Sequence, residues 1–130
     1  MPGSMQISDS EWDVMVPIWE TGACTASDVI KRLRATHAWN HSTIRTLLAR
    51  LVEKGALDYE VDGSRYIYRA AVSRKECVRQ ESRSFLKKVF AGDVGALVAH
   101  FVAEASLDRE QLEQLQRMIA EQRKPKVKRK

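Results

Sequence analysis

Between Asn40 and Arg69 the spacing of apolar side chains changes once, and that change limits the possible folds more than any other feature of the chain. Ile44, Leu47, Leu48, Leu51 and Val52 recur three and four residues apart, the period of one helix face. Asn40 can cap such a helix, and Lys54-Gly55 supplies a cation for its last turn and a left-handed stop. From Leu57 the period is two: Leu57, Tyr59 and Val61 alternate with Asp58 and Glu60, and Arg65-Tyr66-Ile67-Tyr68-Arg69 resumes in β-favouring residues. Asp62-Gly63 between the two runs signals a tight hairpin, because glycine accepts the positive φ of its turn.

Two further helices precede this pair. Ser8 and Glu11 have capping-box spacing, with Trp12, Met15, Val16 and Trp19 as the apolar stripe. Pro17 removes a backbone donor, so a kink near Val16 or a division into two short pieces is expected before Gly22. Thr25 and Asp28 open the next helix, which faces Val29, Ile30 and Leu33 inward and ends around Thr36. Three helices and then a hairpin is the order of a winged helix-turn-helix.

After the hairpin the chain is helical again. Ser73 and Glu76 open a helix to about Phe90 whose inward residues read Cys77, Val78, Phe85, Leu86, Val89 and Phe90; Gly92-Asp93 breaks it. Val94 to Ala103 is apolar nearly all round and needs cover on several sides. Asp108 and Gln111 cap a last helix, stapled by Leu107 and Leu112, with Leu112, Leu115, Met118 and Ile119 as its seam. Three slim helices cannot wrap one another completely, so a second copy of the chain is expected to cover Val94, Leu97, Val98, Phe101, Val102, Leu112, Leu115 and Ile119. The alternative is packing back on the same protomer. The expected fold is therefore mainly α with a small β-hairpin: a winged helix-turn-helix over residues 5–72, then a three-helix dimerisation region over 73–122. Residues 1–4 read as a cloning remnant before a natural start at Met5, and 123–130 as a basic disordered tail.

The net charge of +5 is a property of that tail. Residues 5–72 carry eight Lys and Arg against nine Asp and Glu, 73–120 carry eight against seven, and 121–130 carry six against one. Basicity alone therefore does not argue for a nucleic-acid partner; placement must. Cys24 and Cys77 have neither a C-x-x-C spacing nor a nearby histidine, which points to packed thiols, not a disulfide framework or zinc site. His37, His41 and His100 are scattered, and no catalytic triad, carboxylate pair or phosphate loop occurs, so neither an enzyme nor a cofactor is expected. No apolar run approaches the roughly 20 residues of a membrane span and no leader precedes the first helix, so a cytoplasmic protein with no membrane partner is expected.

Charge placement is informative on the helix from Asn40 to Lys54. At 100° per residue Ser42, Thr46, Ala49 and Glu53 lie opposite Ile44 and Leu51, flanked by Arg45 on one side and by Thr43 and Arg50 on the other. Short side chains permit close approach to a major groove, arginine grips guanine bidentately, and threonine offers both a hydroxyl and a methyl. A plain solvated face would favour Glu, Lys and Gln over β-branched threonine. Arg65 beside the hairpin tip, with Ser64, is placed to meet the DNA backbone or minor groove; Arg69 can do the same or simply form a strand's wet side. Tyr59, Tyr66 and Tyr68 read as sheet packing.

The blocks "ISDSEWDVM", "WNHSTIRTLLARLVEKGALDY", "VSRKECVRQESRSFLKKVF" and "LVAHFVAE" together resemble the BlaI/MecI/CopY family of bacterial transcriptional repressors, in the family's order from Ile7 to about Ile119. The resemblance implies a homodimer that binds a palindromic operator in double-stranded DNA and represses a resistance or stress operon. It places Thr43, Arg45, Thr46 and Arg50 on the recognition helix. Several members of that family are induced when a sensor-linked protease cuts an Asn-Phe bond in the C-terminal helices; the matching pair here is His100-Phe101. His41-Ser42 replaces the family's common Pro-Lys, and the cysteine pairs of copper-responsive members are absent, which argues against metal induction. A rival class is a winged helix used as a protein-interaction module, without specific DNA readout.

Overall fold

The computed structural model describes residues 5–125; the expected cloning remnant and most of the basic tail lie outside the described residues. Residues through Ser82 form one compact unit and those from Arg83 a second.

In the first unit, helix α1 (Asp9–Thr21) starts on the expected capping box: Ser8 Oγ accepts from the Glu11 N–H at 3.2 Å and Glu11 Oε1 from the Ser8 N–H at 2.9 Å. The expected division at Pro17 does not occur. Pro17 lies inside one assigned helix and is buried with Val14, Met15 and Ile18, and this packing offsets the hydrogen bond proline cannot make. The buried face thus runs through Glu11, Val14, Met15 and Ile18, one step round from the expected stripe, leaving Trp12, Val16 and Trp19 half-buried. A two-residue strand β1 (Cys24–Thr25) leads directly into α2 (Ala26–Arg34), capped by Thr25. The turn that follows is tied to α1: His37 Nε2 lies 3.0 Å from Asp13 Oδ2, and its ring packs against Trp39 at 4.2 Å.

Helix α3 (His41–Lys54) buries Ile44, Leu47, Leu48 and Leu51, with Val52 half-buried. At its end Gly55 takes φ 88°, the Gly55 N–H bonds the Val52 carbonyl at 3.0 Å and the Ala56 N–H bonds Leu51 at 2.9 Å. Those are the two bonds of a Schellman stop, and they deliver the chain straight into β2 (Leu57–Asp62). Strand β3 (Arg65–Ala70) returns antiparallel, with Tyr59 opposite Tyr68 and Asp62 opposite Arg65. The turn residues are therefore Gly63 and Ser64, one position later than expected, and only Gly63 has positive φ, as in a type II′ turn. The sheet has a third strand that sequence reading missed: β1 pairs with β3, Thr25 opposite Ile67, in the order β1-β3-β2.

Helix α4 (Arg74–Phe90) begins inside this unit, which extends past the boundary expected at Val72. Trp19 Nε1 donates to the Val72 carbonyl at 3.0 Å, Arg74 lies over the Trp19 ring, Cys77 is buried and Gln80 donates to the Met5 carbonyl at 3.2 Å. The second unit holds the rest of α4, then α5 (Val94–Glu104), capped by Asp93, and α6 (Arg109–Arg123), capped by the expected Asp108–Gln111 box. Of the inward residues expected on α4 only Cys77 is buried; Leu86 and Phe90 are half-buried, and Val78, Phe85 and Val89 are exposed. Short single helices bury little of one another, which explains the difference.

Candidate nucleic-acid interface

Because α3 spends its leucines on the core, its opposite face is free. Ser42, Arg45, Thr46, Ala49 and Arg50 are exposed and Thr43 is half-buried. Asn40 orders the entrance to this face: its Oδ1 accepts from the Thr43 N–H at 2.9 Å and from Ser42 Oγ at 2.8 Å. Among the described residues neither Arg45 nor Arg50 has a carboxylate within salt-bridge distance, whereas Arg32, Arg65, Arg69 and Arg79 each do. Two uncommitted guanidinium groups and a row of short hydroxyl side chains make a surface able to donate to an acceptor-rich, anionic partner.

The other end of α3 is fixed from below. Lys54 Nζ donates to Glu11 Oε1 at 2.5 Å and to the Gln6 carbonyl at 2.6 Å. Burial would raise the Glu11 pKa, but the Lys54 ammonium and the Ser8 N–H outweigh it and hold the carboxyl below its ordinary value.

On the hairpin both arginines are paired. Arg65 pairs with Asp62 at 3.4 Å and Arg69 with Glu60 at 3.1 Å, so both wing arginines share their charge with a neighbouring strand position. The tyrosines, expected to pack on the sheet rather than stack on bases, pack on one another as an open aromatic layer: Tyr59 and Tyr66 stack at 4.5 Å and 13°, remain 45% and 47% exposed, and flank Tyr68. Their common face follows from the register, since Tyr59 opposes Tyr68 and Tyr66 is two residues from it. The sequence held that signal once the turn was placed at Gly63-Ser64.

Strand β1 brings the start of α2 beside this layer. A groove of about 420 Å³ results, walled by Thr25, Ala26 and Ser27 on one side and by Ser64, Arg65, Tyr66 and Tyr68 on the other, with Arg45 of α3 reaching in. Of the six expected DNA-contacting residues, Arg45 and Arg65 therefore meet in the groove, while Ser42, Thr43, Thr46 and Arg50 lie outside it. Burial pushes the Tyr68 phenol up, aided by its tyrosine neighbours and opposed by Arg45, so it stays a neutral donor at physiological pH.

In the second unit Val94, Val98, Phe101, Val102, Leu112 and Ile119 are exposed and Leu97 and Leu115 half-buried. An apolar groove of about 530 Å³ runs between α5 and α6, with Val98, Val102, Leu112 and Leu115 among its walls. The His100–Phe101 bond lies within α5, and both rings are exposed. Among the described residues no group of three or more His, Cys, Asp and Glu could hold a metal ion, and no helix is long and apolar enough to cross a membrane.

A helical core carrying a three-stranded sheet, with a basic solvent-facing third helix beside a hairpin, defines a winged helix-turn-helix protein. The chain belongs to the penicillinase repressor family, whose model matches residues 7–121. It is 32% identical over 121 residues to the penicillinase repressor of Bacillus licheniformis, covering 93% of this chain and 94% of that protein. It is also 32% identical over 114 residues to the methicillin resistance regulatory protein MecI of Staphylococcus aureus strain N315, covering 88% and 93%. The solution structure of the DNA binding domain of the repressor BlaI matches 58% of this chain and 93% of its own, with 37% identity and a TM-score of 0.53.

Proposed function

We propose that this protein is a transcriptional repressor that binds an inverted-repeat operator as a homodimer. The observation that carries this reading is the exposed face of α3, where Arg45 and Arg50 have no carboxylate partner among the described residues, in a chain of the penicillinase repressor family. Thr46, Arg50 and Ser42 enter the major groove and select bases; Thr43 supports them at the helix entrance, and Arg45 and Arg65 reach toward the backbone. The exposed apolar faces of α5 and α6, including Val98, Phe101, Val102, Leu112 and Ile119, are covered by a second copy, which links two recognition helices at the spacing of the two half-sites. Cytoplasmic location and control of a resistance or stress operon belong to the same proposal. So does induction by a sensor-linked protease at His100-Phe101, where α5 must first unwind locally to expose an extended segment.

The test is binding of the full chain to an inverted-repeat duplex recovered by in vitro selection on that chain, compared with a scrambled duplex across a salt series. A repressor prefers the selected duplex, loses affinity steeply with salt, and loses the preference on Arg50→Ala. A chain that binds both duplexes equally, or neither, lacks sequence readout and the proposal fails; one indifferent to both salt and Arg50→Ala is an interaction module.

A further inference from the structure

We infer that the groove between the start of α2 and the tyrosine layer of the hairpin seats a backbone phosphate of the bound duplex, which adds Tyr66 and Tyr68 to the DNA-contacting residues. This inference rests on the DNA-binding reading above and assigns a partner atom to a part of the surface that α3 alone does not explain.

The chemistry of the walls identifies the occupant. Every polar side chain lining the groove is a hydroxyl or a guanidinium: Thr25, Ser27 and Ser64, the phenols of Tyr66 and Tyr68, and the two arginines. None is a carboxylate. An occupant must therefore be rich in acceptors and negatively charged. The acid on α2, Asp28, is exposed but accepts the Thr25 N–H at 3.0 Å, and that bond, with Lys31 and Arg65 nearby, lowers its pKa and commits it to its own helix end. The Asp28 N–H is in turn taken by Thr25 Oγ1 at 3.1 Å, which completes the cap of α2. Stacking on Tyr59 fixes the ring of Tyr66, which lowers the entropy cost of presenting its hydroxyl.

Position decides in favour of a phosphodiester over a free anion. Arg45 belongs both to the groove and to the exposed face of α3, so a duplex read by Thr46 and Arg50 runs its backbone past this opening. Arg65 contributes less, because Asp62 holds it at 3.4 Å and remains close to any phosphate it meets. Contacts to a phosphate carry no base information, so the groove adds affinity and register but no sequence preference.

The experiment uses the full chain and the selected and scrambled duplexes. Tyr68→Phe and Tyr66→Phe each delete one hydroxyl and keep the ring, so sheet packing is retained; thermal melting verifies this for each. The expected result is a loss of about three- to tenfold for each variant, equal on both duplexes. In a scan of single methylphosphonates, one position should weaken the wild type markedly and Tyr68→Phe much less. The inference is overturned if both phenylalanine variants bind within twofold of wild type, if they weaken the selected duplex alone, or if no methylphosphonate position couples to either. Should one variant unfold, the other still decides. A wild type that prefers the selected duplex while the variants are silent sinks the groove and leaves the repressor reading intact; a wild type without preference sinks the repressor reading first.

Discussion

Replacing Lys54 by methionine removes the one cation bonded to a carboxylate that is 2% exposed, and its cost can be worked from the surroundings. Exposed ion pairs contribute about 0–1 kcal/mol, whereas stripping a partner from a fully buried charge costs about 3–5 kcal/mol. Glu11 is buried but the Lys54 side chain is 34% exposed, so solvent screens one end of the pair. The Ser8 N–H also remains on Glu11. An intermediate cost of about 2 kcal/mol at pH 7 follows, or a fall of roughly 10 °C in Tm for a unit of this size. The pH dependence identifies the cause. In the wild type the folded-state pKa of Glu11 lies below its unfolded value, so its contribution is present above the ordinary glutamate range and disappears as pH falls through the folded value. In Lys54→Met only the Ser8 hydrogen bonds still oppose burial, so that pKa rises relative to the wild type and the variant is penalised at neutral pH and relieved by acid. Urea unfolding followed by circular dichroism at pH 7 and at pH 3 should show the gap between the proteins shrinking towards zero. A gap below about 0.5 kcal/mol at pH 7, or one that does not change with pH, would refute the assigned electrostatic role.

Further expectations concern other parts of the chain. Arg50→Ala should weaken the selected duplex by about 1–3 kcal/mol and the scrambled duplex less, read by fluorescence anisotropy at fixed salt. Gly55→Ala places a β-carbon at φ 88° and should lower stability by about 1 kcal/mol or more in denaturant unfolding, since the Schellman stop needs that conformation. Paired Val98→Asp and Leu112→Asp changes lie on exposed positions and should leave the first unit folded while sedimentation shows a monomer and operator affinity drops about a hundredfold or more. The Cys77 thiol, pushed up by burial and by Glu76, should react slowly with iodoacetamide at pH 7 and at an ordinary rate once the chain is unfolded.

What could be read from the sequence was whatever depends on neighbours a few residues away. Ser8, Thr25, Asn40, Asp108 and Gly55 announced the helix ends because a cap satisfies backbone groups within its own turn. The α3 face was legible for the same reason: a helical projection alone separates Thr46 and Arg50 from Leu48 and Leu51. What escaped depends on register or on distant pairing. Strand β1 is two residues long and has no period to detect, yet it sets α2 beside the hairpin. The tyrosine layer and the Arg65–Asp62 and Arg69–Glu60 pairs required the turn to be placed to the residue. Pro17 pointed to a kink or a division, and the division does not occur because a local rule does not see the core that holds α1 together around it.

Titration of the isotopically labelled full chain with the selected duplex, followed by amide NMR, bears most directly on the claim that α3 is laid against base edges. The largest shifts should fall on residues 42–50 and on the hairpin tip around Ser64 to Tyr68, and a scrambled duplex should move the α3 amides far less. Shifts confined to α5, α6 or the basic tail, or an identical pattern with both duplexes, would contradict it.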